Sequence, residues 1–484
     1  MTVHTPAWVK DAVFYQIFPD RFAFSERVPK PNNLEPWNTP PTVRGFKGGD
    51  LLGVKEHLDY LEALGINALY FNPIFTSAAN HRYHTHDYYS VDPILGGNAA
   101  FREMLEAAHA RGIRVVLDGV FNHAGRGFLQ FNHIMENGAQ SPYVNWFYVT
   151  NYPLYAFDGQ RPANYACWWN NRELPKLNTD NLDVREFIYD VAEYWLHQGI
   201  DGWRLDVPLE ITTPGFWEEF RRRVKGVNAE AYILAEIWSE ARSWLQGEHF
   251  DAVMNYPFNR ACLGFFGGSA LNTSLRPGGF ALRRLDARAF GQQVVRDLEL
   301  YDREVVQAQY NLLSSHDEPR FLTVVHGEQE RLRLATLFQM TYPGAPSIYY
   351  GDEIGLEGGH DPDSRRAFPW DEARWNVELL DAFRRYVALR HDHPVLRRGA
   401  YVQLLAEDYL YAFARQDEQE TLIVIFNAGE QERAFAVDVS ELAPTLEVFK
   451  DVWSASAFKT SAGLLRGILP ALSALVLEGQ ATGA

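Results

Sequence analysis

The stretch HQGIDGWRLD, residues 197–206, joins the end of a helix to the start of a strand. Gly199 suits the position just past a helix C-terminus, where a residue at ease with positive φ is needed. The strand that follows is apolar except for Arg204 and Asp206. They are two apart, so a strand sends both to one face and gives Trp203 and Leu205 the other. The same grammar recurs in LEALGINALYFNP (61–73) and AHARGIRVVLDGVFNH (108–123): an amphipathic helix, Gly-Ile, then a short apolar strand ending in polar residues. Ahead of the first, Leu51, Val54, Leu58 and Leu61 stand at helical spacing. Five more strands are predicted in AVFYQIF (12–18), AYILAEI (231–237), FDAVMN (250–255), YNLLSS (310–315) and PSIYYG (346–351). Eight apolar strands alternating with helices predict an α/β fold with a parallel sheet. In a chain of 484 residues that sheet is expected to close as a (β/α)8 TIM barrel rather than stay open and doubly wound. The first strand is followed by no Gly-rich phosphate loop, which argues against a nucleotide site.

Two regions break the alternation. From His123 to about Asn181 the chain is rich in Tyr, Trp, Asn and Pro, too long for an ordinary loop, and reads as an inserted subdomain after strand 3. From about Arg398 short alternating runs such as YLYAFA and TLIVIFNA predict a C-terminal antiparallel β domain. The expected organisation is a first barrel part over 1–123, an inserted subdomain B over 124–180, a second barrel part over 181–397 and a β-sandwich domain over 398–484.

The net charge of −17 argues against nucleic acid or an anionic membrane as partner. An aromatic share of 14% supplies flat apolar rings that suit sugar faces as well as a core. Two cysteines make no disulfide framework, no apolar run reaches the roughly 18 residues of a membrane span, and MTVHTPAWVKDAV has no long apolar h-region, so no signal peptide is expected. The expected location is the cytoplasm.

Barrel enzymes build their sites at the C-terminal ends of the strands. Those ends carry Asp118 with Asn122 and His123, Arg204 with Asp206, Glu236, and His316 with Asp317. A guanidinium beside Asp206 would keep it ionised, and burial of Glu236 near other acids would let it hold a proton. An ionised carboxylate beside a protonated one is the equipment for retaining glycoside cleavage. Asp317 is a third acid, suited to gripping sugar hydroxyls, and His123 and His316 are neutral donors at the same mouth. The histidine spacing points to no metal site.

These motifs resemble the α-amylase family, glycoside hydrolase family 13, over nearly the whole chain. DGVFNH (118–123), LPKLN (174–178), GWRLDVPLE (202–210), EIW (236–238) and SSHDEPR (314–320) carry the likeness, with FYQIFPDRF (14–22) and GAPSIYYGDEIG (344–355). The resemblance implies Asp206 as nucleophile, Glu236 as acid/base and Asp317 as transition-state stabiliser. It implies that Arg204, His123 and His316 hold the first sugar, with the Tyr83 ring stacked on it. FDAVMNYPF (250–258) and GGHDPDSRRAFPW (358–370) bring the chain nearest to neopullulanases, cyclomaltodextrinases and maltogenic amylases. By that likeness Asp361 and Arg365 bind a sugar on the non-reducing side, and Glu210 lies on the leaving-group side.

There are three departures. The first strand begins near Ala12, so the β-sandwich that precedes the barrel in that subgroup is expected to be absent. A monomer, or a dimer without domain swapping, is then expected. The usual Val-Ala-Asn-Glu after the nucleophile is Val207-Pro208-Leu209-Glu210, which bears on linkage preference. The loop FAFSERVPKPNN (22–33), where relatives carry calcium ligands, offers few oxygens, and Asp50 is only a weak candidate; no cofactor is expected to be required. The expected function is retaining hydrolysis of α-1,4, and also α-1,6, glucosidic bonds in maltodextrins, cyclodextrins, pullulan or starch. The alternatives are an exo-acting α-glucosidase or transglycosylase on the same machinery, and, more remotely, an inactive glycan-binding relative.

Overall fold

The computed structural model describes residues 3–442 and 446–481. The chain divides into two compact units, Met1–Met254 with Arg365–Glu372, and Asn255–Ser364 with Ala373–Ala484.

The first unit holds six parallel strands: β1 (Phe14–Ile17), β2 (Ala68–Phe71), β3 (Arg114–Gly119), β4 (Gly202–Leu205), β5 (Tyr232–Ala235) and β6 (Ala252–Val253). They pair in the order β6-β5-β4-β3-β2-β1. The register sets Asp118 of β3 opposite Arg204 of β4. Strand residues are buried on both faces, as parallel sheets covered by helices require.

The repeated Gly-Ile phrase is a helix stop. The helix Leu182–His197 is capped at its start by Asn181, whose side chain accepts from the Asp183 amide, and it buries Val184, Ile188, Val191, Ala192 and Trp195 on one face. At its end Gly199 has φ +104°. The Gly199 amide donates to Leu196 O at 2.9 Å and the Ile200 amide to Trp195 O at 3.3 Å, the paired bonds of a Schellman motif. Gly65-Ile66 and Gly112-Ile113 close their helices with the same two bonds. Each isoleucine is buried and locks the turn to the core as the strand begins.

Between β3 and the helix Leu182–His197 lies the inserted subdomain. It has one α-helix, Leu129–Asn137, short 3-10 turns, and isolated bridges Phe147↔Leu177, Val149↔Tyr165 and Cys167↔Pro175 in place of a sheet. Its small core is aromatic, with Phe131 about 5 Å from both Phe147 and Tyr165.

The second unit holds the parallel pair β7 (Tyr310–Leu312) and β8 (Ala345–Tyr349), separated in the chain by the helix Gln329–Thr341. It also holds eight antiparallel strands between Ala400 and Ala481, whose core is built on Ile423, Ile425, Val437, Phe449, Leu465 and Leu477. Three of these strands, Leu446–Asp451, Ala457–Ser461 and Leu464–Leu469, are additional to the runs read from the sequence. The fold class is the one expected: a (β/α)8 barrel, an insertion after its third strand, and a C-terminal antiparallel β domain. Among the described residues no helix is long and apolar enough to cross a membrane.

Candidate active site

Arg204 is fully buried at the centre of the first unit's strand ends. Its Nη1 lies 2.8 Å from Asp118 Oδ1 and 3.0 Å from Asp206 Oδ1, and its Nη2 lies 3.1 Å from Glu236 Oε2. One guanidinium thus gathers three carboxylates. Burial alone would pull Arg204 down, but Asp118 and Glu236 outweigh it and hold its pKa well above the ordinary arginine value. Asp118 is raised, because burial outweighs the attraction of Arg204. The strand-face reading is met: Arg204 meets Asp206, while Trp203 turns away and packs on Phe121 at 5.5 Å.

Two tyrosines complete the Asp118 end. The Tyr70 hydroxyl donates to Asp118 Oδ2 at 2.7 Å and the Tyr83 hydroxyl to the same oxygen at 3.0 Å. Asn72 Nδ2 donates to the Tyr83 oxygen at 3.2 Å. At the other end Glu236 Oε1 accepts from Trp238 Nε1 at 3.1 Å, and Oε2 accepts from the Val207 amide at 2.9 Å. Val207 has φ +37° and ψ 51°, a left-handed conformation that costs a β-branched residue on the order of 1–3 kcal/mol. That conformation turns its amide toward Glu236.

His123 is buried with its ring stacked on Trp168 at 5.4 Å, and its Nε2 has no protein partner. Burial holds the imidazole down at about 3, so it is neutral at pH 7. Glu210 sits on the short turn Pro208–Glu210 and is exposed; the Lys176 ammonium of LPKLN donates to its carbonyl at 2.8 Å and lies 3.6 Å from its carboxylate. Arg365 is buried with its guanidinium over the Phe18 ring at 5.3 Å.

In the second unit, buried His316 places Nε2 3.1 Å from Asp317 Oδ2, and Asp317 keeps part of its side chain in contact with solvent. The adjacent Glu318 is buried, and its Oε2 has no hydrogen-bond partner. Burial and the neighbouring Asp317 push its carboxyl up to about 8. Arg320 closes the motif on Asp352 at 2.7 Å and on Tyr350 O at 2.8 Å. Asp361 is exposed.

The strand-end acids do not account for Tyr70 and Trp238, which sequence reading passed over. Tyr70 obeys the rule that placed Arg204 beside Asp206: it stands two before Asn72 at the end of β2, so alternation was the available signal. Trp238 lies past the end of β5, where alternation gives none. Trp168 could not be found this way, because the subdomain has no periodicity to read.

The calcium expectation can be tested at Asp50. Its Oδ1 accepts from the Gly53 amide at 2.7 Å, capping the helix Leu51–Glu56. Its Oδ2 accepts from the Ser25 amide at 2.9 Å and lies 2.9 Å from the Lys30 ammonium. The face of Asp50 that would meet a cation already meets Lys30, so these residues do not fit a calcium site. Among the described residues no group of three or more His, Cys, Asp or Glu is placed to hold a metal.

Residues 16–389 match the family described as alpha amylase, catalytic domain, and residues 401–477 match the neopullulanase-like C-terminal domain. A cyclomaltodextrinase of a Bacillus species is 44% identical over 426 residues, covering 87% of this chain and 73% of that protein. The crystal structure of Ttha1563 from Thermus thermophilus superimposes with a TM-score of 0.94 at 48% identity, covering 98% of this chain and all of that one. A debranching enzyme from Nostoc punctiforme gives 0.90 at 49% identity, over 99% of this chain and all of that one. With its catalytic-domain match spanning most of the sequence, the chain belongs to the α-amylase family of glycoside hydrolases.

Proposed function

We propose that the chain is a retaining hydrolase of α-1,4-glucosidic bonds in maltodextrins, cyclodextrins, pullulan or starch. Asp206 is the nucleophile, Glu236 the acid/base and Asp317 the stabiliser of the cationic transition state. The Asp206 carboxylate attacks the anomeric carbon while Glu236 gives its proton to the departing glycosidic oxygen. A water then gives its proton to Glu236 and attacks the same carbon, releasing Asp206. The observation that carries this reading is that Asp206 and Glu236 both lie against one guanidinium. Retaining pairs stand roughly 5 Å apart, whereas inverting pairs stand about 6.5–9.5 Å apart to admit a water. Neutral His123, Tyr83 and Arg204 are assigned to the first sugar, as is His316 of the second unit. Arg365 and Asp361 are assigned to the non-reducing side and Glu210 to the leaving-group side.

A second linkage, α-1,6, is supported by the name of the Nostoc relative, a debranching enzyme. No metal is assigned a role, and the two unpaired cysteines support a reducing compartment such as the cytoplasm. Proton NMR of the first products from maltotriose tests the mechanism. α-Anomers are expected before mutarotation, and β-anomers would overturn it. Parallel digestion of β-cyclodextrin, pullulan and starch fixes linkage and length.

A further inference from the structure

A cavity of about 600 Å3 lies within the first unit, between the inserted subdomain and the segments after β1 and β2. That volume is in the range of small-ligand sites. Phe157 forms part of its wall with its ring 73% exposed. Arg126, also on the wall, stacks its guanidinium on one face of that ring at 4.3 Å, and Arg126 is itself fixed by Ala156 O at 2.7 Å and Glu173 at 2.9 Å. One face of the ring is thus held by Arg126, while the ring as a whole stays largely exposed. The wall also carries His84 and His86, both pushed down by burial and therefore neutral, each with one nitrogen to donate and one to accept. Gly125 and Gly127 let the backbone close on these imidazoles: a Cβ at Gly125 would meet His84 O at 2.6 Å, and one at Gly127 the His86 ring at 2.4 Å.

A flat ring, neutral imidazoles and the paired Arg126–Glu173, with Arg44 as one further donor on the wall, fit a hydroxyl-rich polyol with an apolar face. The cavity also adjoins the site already described. His81 lines it and lies 5.6 Å from the Tyr83 ring, and its imidazole is lowered by burial and then by the charge of Arg365. His81 thus joins the Tyr83 ring to the wall that Phe157 shares, and a sugar chain extending from Tyr83 past His81 enters this cavity.

We propose that this cavity is a distal glucosyl-binding site on the non-reducing side, with Phe157 as its stacking platform, and that it sets a preference for longer α-glucans. The inference rests on the hydrolase reading above. Its test compares kcat/KM for maltohexaose and maltotriose in the parent, Phe157→Ala and Phe157→Trp. Phe157 is exposed, so its truncation should leave the fold intact. In Phe157→Ala the maltohexaose-to-maltotriose ratio should fall roughly tenfold, about 1.4 kcal/mol, through KM rather than kcat. Phe157→Trp should restore it. Leu129→Ala, exposed on the same subdomain but outside the cavity, should keep the parental ratio. An unchanged ratio in Phe157→Ala, or a fall carried by kcat, overturns this inference while leaving the hydrolase reading intact. A parent enzyme that cleaves neither oligosaccharide overturns both.

Discussion

Replacing Glu318 with glutamine should make the protein more resistant to alkaline pH. The carboxyl is buried beside Asp317, one of its oxygens has no partner, and its pKa is about 8 against an ordinary 4.5. Between those two values the folded chain keeps the proton and the unfolded chain loses it. The stability this group contributes is therefore full below pH 4.5, falls as pH rises, and is lost by about pH 8, above which both forms are ionised. At about 1.4 kcal/mol per pH unit, that interval amounts to a loss on the order of 5 kcal/mol. The amide introduced by Glu318→Gln has nearly the shape of the protonated acid and cannot ionise, so the variant escapes the loss. At an unfolding entropy of about 2 cal/mol/K per residue, the melting temperature of the variant relative to the parent should rise by roughly 4 °C between about pH 5 and pH 8.5. Titrating groups distant from Glu318 are common to both proteins and cancel in that difference. Scanning fluorimetry of both proteins across the range is sufficient. A difference in melting temperature that does not change with pH would refute the reasoning and place the Glu318 proton elsewhere, with Arg260 as the neighbour to examine.

Further outcomes follow from the same geometry. Asp206→Asn should abolish turnover without loss of fold, because the amide keeps the shape and lacks the nucleophilic charge; near-parental kcat on maltotriose would move the nucleophile elsewhere. Tyr83→Ala should cost on the order of 2–3 kcal/mol, or roughly 30- to 150-fold in kcat/KM, through lost stacking at the cationic sugar. Tyr83→Phe keeps the ring and loses only the hydroxyl's bonds to Asp118 and Asn72, so its cost should be smaller; equal losses in the two variants would assign the role to the hydroxyl. Chelation with EDTA should leave the melting temperature unchanged, whereas Lys30→Met, which strips the buried Asp50 of its cation, should cost roughly 3 kcal/mol in denaturant titration. A chelator-induced fall in stability would show that a metal does bind.

Much of this architecture is legible in the sequence because its signals are local. The Gly-Ile stops mark where three helices end and three strands begin, and two-residue alternation then fixes which side chains share a face. Arg204 with Asp206 is found in this way, and the same rule reaches Tyr70 once applied to β2, whereas Trp238 lies beyond the end of β5. The C-terminal domain is less legible. Leu446–Asp451 carries Glu447, Lys450 and Asp451, and Leu464–Leu469 carries Arg466 and Gly467, which dilute the alternation that marks Thr421–Asn427. The inserted subdomain is recognised by its lack of pattern, so its cavity and the Trp168 ring are set by tertiary packing that no window of sequence displays. The Lys30–Asp50 pair is of the same kind: the loop shows a shortage of oxygens, but only the fold shows an ammonium facing the one carboxylate that remains.

The left-handed backbone at Val207 has a consequence for anyone seeking a hardier enzyme. Selection for heat tolerance rewards relief of conformational tension wherever it is found, and Val207→Gly or Val207→Asn would provide it. The amide of that residue, however, helps fix the carboxylate opposite Asp206. A library screened for melting behaviour alone should therefore enrich this position among its survivors: those that keep the left-handed turn should keep their rate, and those that let the backbone leave it, withdrawing the amide, should be slow.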